Sequence, residues 1–100
     1  GVTLEADNVA RFPDAPTARG VKHVEELIRC MEDGYEAYLL LVIQMKGVTR
    51  FEPNWDTHRE FGETLQKAQK AGVHILAYDC LVEPDRMEIQ DPVPVRLERD

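Results

Sequence analysis

Thr17, Arg19, Gly20, Lys22 and His23 stand close enough together to bind an anion if Thr17 caps a helix that begins at Ala18. A helix start presents backbone N–H groups without intrahelical acceptors and carries the positive end of the peptide dipole, so phosphate is the ligand such a place fits best. Lys22 opposes that dipole, and a bound anion would relieve the conflict. Gly20 in the first turn costs about 1 kcal/mol relative to Ala, which predicts that some group passes close by. Upstream, Pro13 and Pro16 fix their own φ and push Phe12 and Ala15 toward extended geometry, making a stiff connector into the helix. The competing reading is an ordinary connection with a solvated charged face. Asp14, between the prolines, serves either as an Asx turn or as a single oxygen ligand.

A second pattern pairs Pro13-Asp14 with Gln44-Met45-Lys46, imitating a PD…(D/E)xK nuclease signature with Gln in the acidic slot. Such chemistry needs clustered carboxylates to hold Mg²⁺ and a lysine to polarise water or phosphate, and one carboxylate is too few. As a literal active site the match is weak, because short patterns of this kind arise by chance, and Asp14 and Gln44 stand as supporting candidates. Gln44 is either a strand-end amide bonded to backbone or one that positions a water or a phosphate. Phe51 and Trp55 flank Pro53 as lids on the core or as base-stacking rings. Cys30 and Cys80 show no spacing that would close a zinc site and read as reduced core thiols, a disulfide being the alternative.

One hundred residues, 43% hydrophobic and 31% charged, describe one soluble domain with a single core. A net charge of −7 excludes a polyanion partner held by the average surface, so a DNA ligand would have to use a local patch, here Arg11, Arg19, Lys22 and His23. The longest apolar run, Tyr38 to Ile43, is far short of a membrane span. Glu5, Asp7, Arg11 and Asp14 stand where a signal peptide would be apolar, and a cytoplasmic address is expected.

Periodicity supplies the elements that would position these residues. Val2-Thr3-Leu4 and Val9 to Phe12 predict a short hairpin turning at Glu5 to Asn8, and Gly1 reads as the start of a fragment. Val21, Val24, Leu27, Ile28 and Met31 recur at helical spacing and predict an amphipathic helix over 18–33 ended by Gly34. The unalternating run within 36–45 predicts a central strand covered on both faces. Residues 46–55 read as a long connection, and Thr57 with Glu60 as a capping box opening a helix to Ala71, with Phe61, Leu65 and Ala68 inward and Gly72 closing it. A strand over 73–81 would return parallel to 36–45 through a right-handed βαβ crossover. Glu83-Pro84-Asp85 turns the chain toward an edge strand at 87–90, and the tail beyond Pro94 is expected to fray. The expected fold class is α/β, a mixed sheet with helices packed on it.

Read as whole segments, Phe12 to Leu27, Phe51 to Trp55, Glu60-Phe61 and Ala71 to Cys80 closely resemble the sugar fermentation stimulation protein family, collinearly and to about Ile89. The resemblance implies an OB-like N-terminal domain followed by a PD-(D/E)xK nuclease-like domain, with DNA binding and a role in regulating maltose or other sugar metabolism. It also implies that residues 1–100 are the latter part of the nuclease-like domain. The family's strand acid and its Glu-Val-Lys triplet would then lie ahead of Gly1, leaving no metal ligands here and Mg²⁺ possible only in the full-length protein. Matching positions are Asp14, Thr17, Arg19, Gly20, Lys22 and His23 at the helix entrance, and Gln44. Arg59 departs from the family, where proline is common. Three functions follow as expectations: a DNA-binding protein gripping the phosphate backbone, a Mg²⁺-dependent nuclease complete only at full length with this part inactive alone, and an interaction domain with neither activity.

Overall fold

The structure, a computed structural model, describes residues 3–4 and 8–99. Two strands, β1 (Thr3–Leu4) and β2 (Val9–Phe12), lead into helix α1 (Ala18–Glu32), then β3 (Tyr38–Ile43), β4 (Arg50–Pro53), helix α2 (Arg59–Ala71), β5 (His74–Glu83) and β6 (Arg86–Val93). Val2 and the expected turn residues Glu5 to Asp7 lie outside the described residues, while Asn8 at the end of that turn has a φ of 62°. β1 and β2 pair antiparallel, as the expected hairpin requires.

The expected parallel pair is present. β3 and β5 run parallel from Tyr38↔His74 to Ile43↔Asp79, with α2 in the connection between them, and β6 adds antiparallel to make the mixed sheet β3-β5-β6. A second sheet, β1-β2-β4, was not legible beforehand: Arg50–Pro53, read as connection, pairs parallel with β2. Proline at its end and charge at two of its four positions conceal that strand, yet Phe51 is 0% exposed and anchors it.

Both helices lay their apolar stripes against one face of β3-β5-β6. Val21, Val24, Phe61, Leu65 and Ala68 form the core with Ala37, Val73 and Leu97, and Leu39 and Ile75 pack on it from the sheet. Leu41, Ile43 and Ala77 continue that face into a second cluster with Ala10, Phe51 and Val93. The alternate residues of the sheet face outward, with Tyr38 at 58%, Leu40 at 49% and Leu76 at 42% exposure, joined by Val82, Met87 and Ile89. β3 is therefore covered on one face among the described residues, not on both: an apolar run shows that a strand can be buried twice, while the layers present decide whether it is.

Three further expectations change. The tail does not fray: Val95 bridges to Phe51, Arg96 N donates to Phe51 O at 2.8 Å, and Leu97 is 5% exposed. Both cysteines are free, and only Cys80 is a core thiol, since Cys30 is exposed on α1. Thr57 does not cap α2. The N-cap is His58, without a side-chain cap bond, because its ring is engaged elsewhere. Among the described residues no helix is long and apolar enough to cross a membrane.

Candidate nucleic-acid interface

Thr17 caps α1 as its sequence position requires. Its backbone is extended (φ −132°, ψ 92°) and its Oγ1 accepts from Gly20 N at 3.0 Å, while Val21 N donates to Thr17 O at 3.2 Å. Thr17 N in turn donates to Nδ1 of His58 at 3.1 Å, which ties the start of α1 to the start of α2. The N–H groups of Ala18 and Arg19 are left without an acceptor among the described residues, and no acid stands in the first turn. Gly20 is explained by crowding: a Cβ there would lie 2.9 Å from Thr17 Cγ2 and 3.2 Å from Phe61 Cε1. The close neighbours are the cap and an α2 ring, not a ligand.

Arg19, Gly20, Lys22 and His23, with Thr17 and the acidic Glu26, line an open cavity of about 580 Å³. Arg19, Lys22 and His23 are all exposed, and none has an ion-pair partner among the described residues. By contrast Arg11 is bound to Glu52 at 2.8 Å, with Arg50 on the same carboxylate, so Arg11 belongs to the β2–β4 pair and not to this cavity. Asp14 is exposed on the loop, which Asn54 Nδ2 holds by donating to Pro13 O at 3.1 Å. Neither Asp14 nor Gln44 lines the cavity.

Gln44 is exposed at the carboxyl end of β3, where Met45 N donates to Ile43 O at 2.8 Å. Lys46, the last member of the imitated nuclease pattern, does not act with Asp14. Its Nζ lies 3.1 Å from Asp79 Oδ1 and 3.0 Å from Asp91 Oδ2, and Asp91 N donates to Asp79 Oδ1 at 2.9 Å. The Asp91 N–H bond is the chief cause that holds the Asp79 carboxyl below its ordinary pKa, with Lys46 adding to it against partial desolvation; bonds to Asp91 and then Asp79 hold the Lys46 ammonium above its own. Among the described residues no three His, Cys, Asp or Glu side chains cluster to hold a metal. His58, Asp79 and Asp91 went unseen in the sequence because their partners lie 41, 33 and 45 residues away. A polar acceptor immediately before α2 was the one available signal, and Thr57 competed for it.

Trp55 covers Gly62 of α2, and Arg99 lies 5.6 Å over its ring, so it is a lid on the core and is not open for base stacking on that face.

Residues 1–86 match the family model for the sugar fermentation stimulation protein RE domain. The chain belongs to the sugar fermentation stimulation protein family. It is 58% identical over 97 residues to a sugar fermentation stimulation protein homolog of Clostridium beijerinckii and 57% identical over 97 residues to that of Ruminiclostridium cellulolyticum, covering 97% of this chain and 43% of each relative. A solved structure of SfsA from Pyrococcus furiosus in complex with Ca²⁺ superposes with a TM-score of 0.85 at 28% identity, over 95% of this chain and 42% of that one. The chain thus spans a little over two fifths of the length of these family members. Its α/β fold is the family's nuclease-like one.

Proposed function

We propose that this chain binds DNA through the phosphate backbone, without reading bases, at the entrance of α1. The observation that supports this reading is that Arg19 and Lys22 stand exposed without ion-pair partners among the described residues, beside the unsatisfied N–H groups of Ala18 and Arg19. Elsewhere Arg11, Lys46, Arg50, Arg59 and Arg86 are held by carboxylates, and Arg29, Lys67, Lys70 and Arg99, which likewise show no ion pair among the described residues, do not line the cavity at the α1 entrance. On an acidic chain such a patch makes weak, salt-sensitive contacts that suit any duplex sequence. His23 adds donors on the same rim, and Gln44 supplies an amide at the end of β3. The test is duplex affinity against salt concentration for the wild type and for Arg19→Ala/Lys22→Ala. A cytoplasmic location and a regulatory role in sugar (maltose) metabolism would be exercised through that binding.

The Ca²⁺ held by the Pyrococcus furiosus relative favours a second reading, a Mg²⁺-dependent nuclease at the family's full length. Among the described residues no three His, Cys, Asp or Glu side chains gather to hold Mg²⁺, and Lys46 is engaged by Asp79 and Asp91. Metal ligands would have to come from outside the described residues. Supercoiled DNA with Mg²⁺ or Mn²⁺ separates the readings. Nicking by the Clostridium beijerinckii homolog but not by this chain supports the second, and nicking by neither supports binding alone.

A further inference from the structure

In open α/β sheets ligands gather outside the carboxyl ends of parallel strands. Here the β3–β5 pairing ends at Ile43↔Asp79, where β3 stops while β5 runs on to Glu83 beside β6, and Gln44, Lys46, Asp79 and Asp91 collect at that end of β3. Gln44 is the middle residue of a three-residue turn, since Met45 N donates to Ile43 O at 2.8 Å. The sole non-glycine residue with positive φ among those described is Asn8, so the turn at Gln44 is of the inverse γ type common at strand ends. Ile43, 0% exposed, fixes the chain before the turn.

Lys46 fixes it after the turn. Its ammonium bridges a buried carboxylate on β5 and an exposed one on β6, whose side chains are 9% and 73% exposed. The β5–β6 register shifts between Tyr78 and Cys80, so that Gln90 and Asp91 together oppose Asp79. That bulge lets the Asp91 N–H reach Asp79 Oδ1. The exposed amide of Gln44 is thereby carried on a turn pinned on both sides.

We propose that Lys46, Asp79 and Asp91 are positioning residues, which hold the Gln44 turn so that its side-chain amide donates to a backbone phosphate of bound DNA. The bridge also neutralises charge. Without Lys46 two carboxylates would flank the approach of that phosphate. This inference rests on the reading of the chain as a phosphate-backbone binder.

Fluorescence anisotropy with a short labelled duplex of mixed sequence tests it. Gln44→Ala and Lys46→Met should each weaken binding roughly tenfold, as loss of one charge-assisted hydrogen bond does. The double variant should bind no more weakly than Lys46→Met alone, because one interaction is removed twice. Lys46→Arg should restore binding. Asp91→Asn, altered at an exposed carboxylate with its backbone N–H intact, should show the same non-additivity and serves if Lys46→Met does not fold. Wild-type affinity in Lys46→Met, or losses that add in full to that of Gln44→Ala, would overturn the inference. With Arg19→Ala/Lys22→Ala measured alongside, a loss confined to that variant overturns this inference and leaves the α1 interface standing. A loss confined to Gln44 and Lys46 does the reverse, and absence of duplex binding by the wild type overturns both.

Discussion

The backbone N–H of Thr17 donates to Nδ1 of His58 at 3.1 Å, so the residue that caps α1 is held by the residue that opens α2. Phe61 completes the joint. Its ring stacks beside His58 at 6.4 Å and meets Phe12 edge-on at 5.3 Å. The anion-attracting end of α1 is therefore set by contacts from α2 and β2 and not by α1 alone.

Removing the acceptor at His58 leaves a partly buried N–H unpaired. His58→Phe is expected to destabilise the chain by about 1 kcal/mol, and His58→Asn, which can place an oxygen near the Nδ1 position, by less. Urea denaturation of the two variants checks this; equal losses would show that the ring's packing and not its nitrogen matters.

Gly62 inverts the usual helix rule. Alanine in place of glycine within a helix normally gains up to about 1 kcal/mol. At Gly62 a Cβ would lie 2.5 Å from Trp55 Cζ3, so the indole must move off the helix. Gly62→Ala is expected to lower stability by roughly 1 to 3 kcal/mol and to alter tryptophan fluorescence, the cost being that of overpacking. A stabilised variant with unchanged emission would contradict the Trp55 packing.

The two sides of β3-β5-β6 should respond differently to truncation. Leu65, 0% exposed beneath the sheet, is expected to cost about 2 to 5 kcal/mol as Leu65→Ala. Leu40→Ser on the outward face, where Leu40 is 49% exposed, is expected to cost far less. Thermal melts of this chain compare them.

The helices were legible in the sequence because Val21, Val24, Phe61 and Leu65 keep a helical period, and the β3–β5 pair because an apolar run precedes and follows a helix. The Thr17 cap was legible for a local reason, since its bond to Gly20 spans three residues. What stayed hidden depends on distant partners. Phe51 makes β4 a strand only against β2, Leu97 is buried only because Gln66 Nε2 donates to its carbonyl and α2 lies beneath it, and Lys46 finds Asp79 and Asp91 only once three strands are in register. Grouping Arg11 with Arg19 and Lys22 failed for the same reason: Glu52 claims it from β4.

The Asp79–Lys46 bridge gives stability a pH dependence of known sign. Asp79 has a folded pKa below its unfolded value, so its contribution is fully present above the ordinary carboxyl range, near pH 4, and is lost as pH falls through the lowered folded value. Lys46 has a raised folded pKa, so its contribution is present below its unfolded value, about 10.4, and is lost as pH rises through the folded one. Asp79→Asn should flatten the acid limb of a stability profile; an acid limb identical to that of the wild type would remove Asp79 from the cause.

That Arg19 and Lys22 meet DNA phosphates at the α1 entrance is tested by the salt dependence of duplex affinity. Each phosphate neutralised contributes about 0.9 to the slope of log affinity against log salt concentration. Arg19→Ala/Lys22→Ala is expected to reduce that slope by close to two such increments and to weaken binding equally for unrelated sequences. A slope equal to that of the wild type would contradict it.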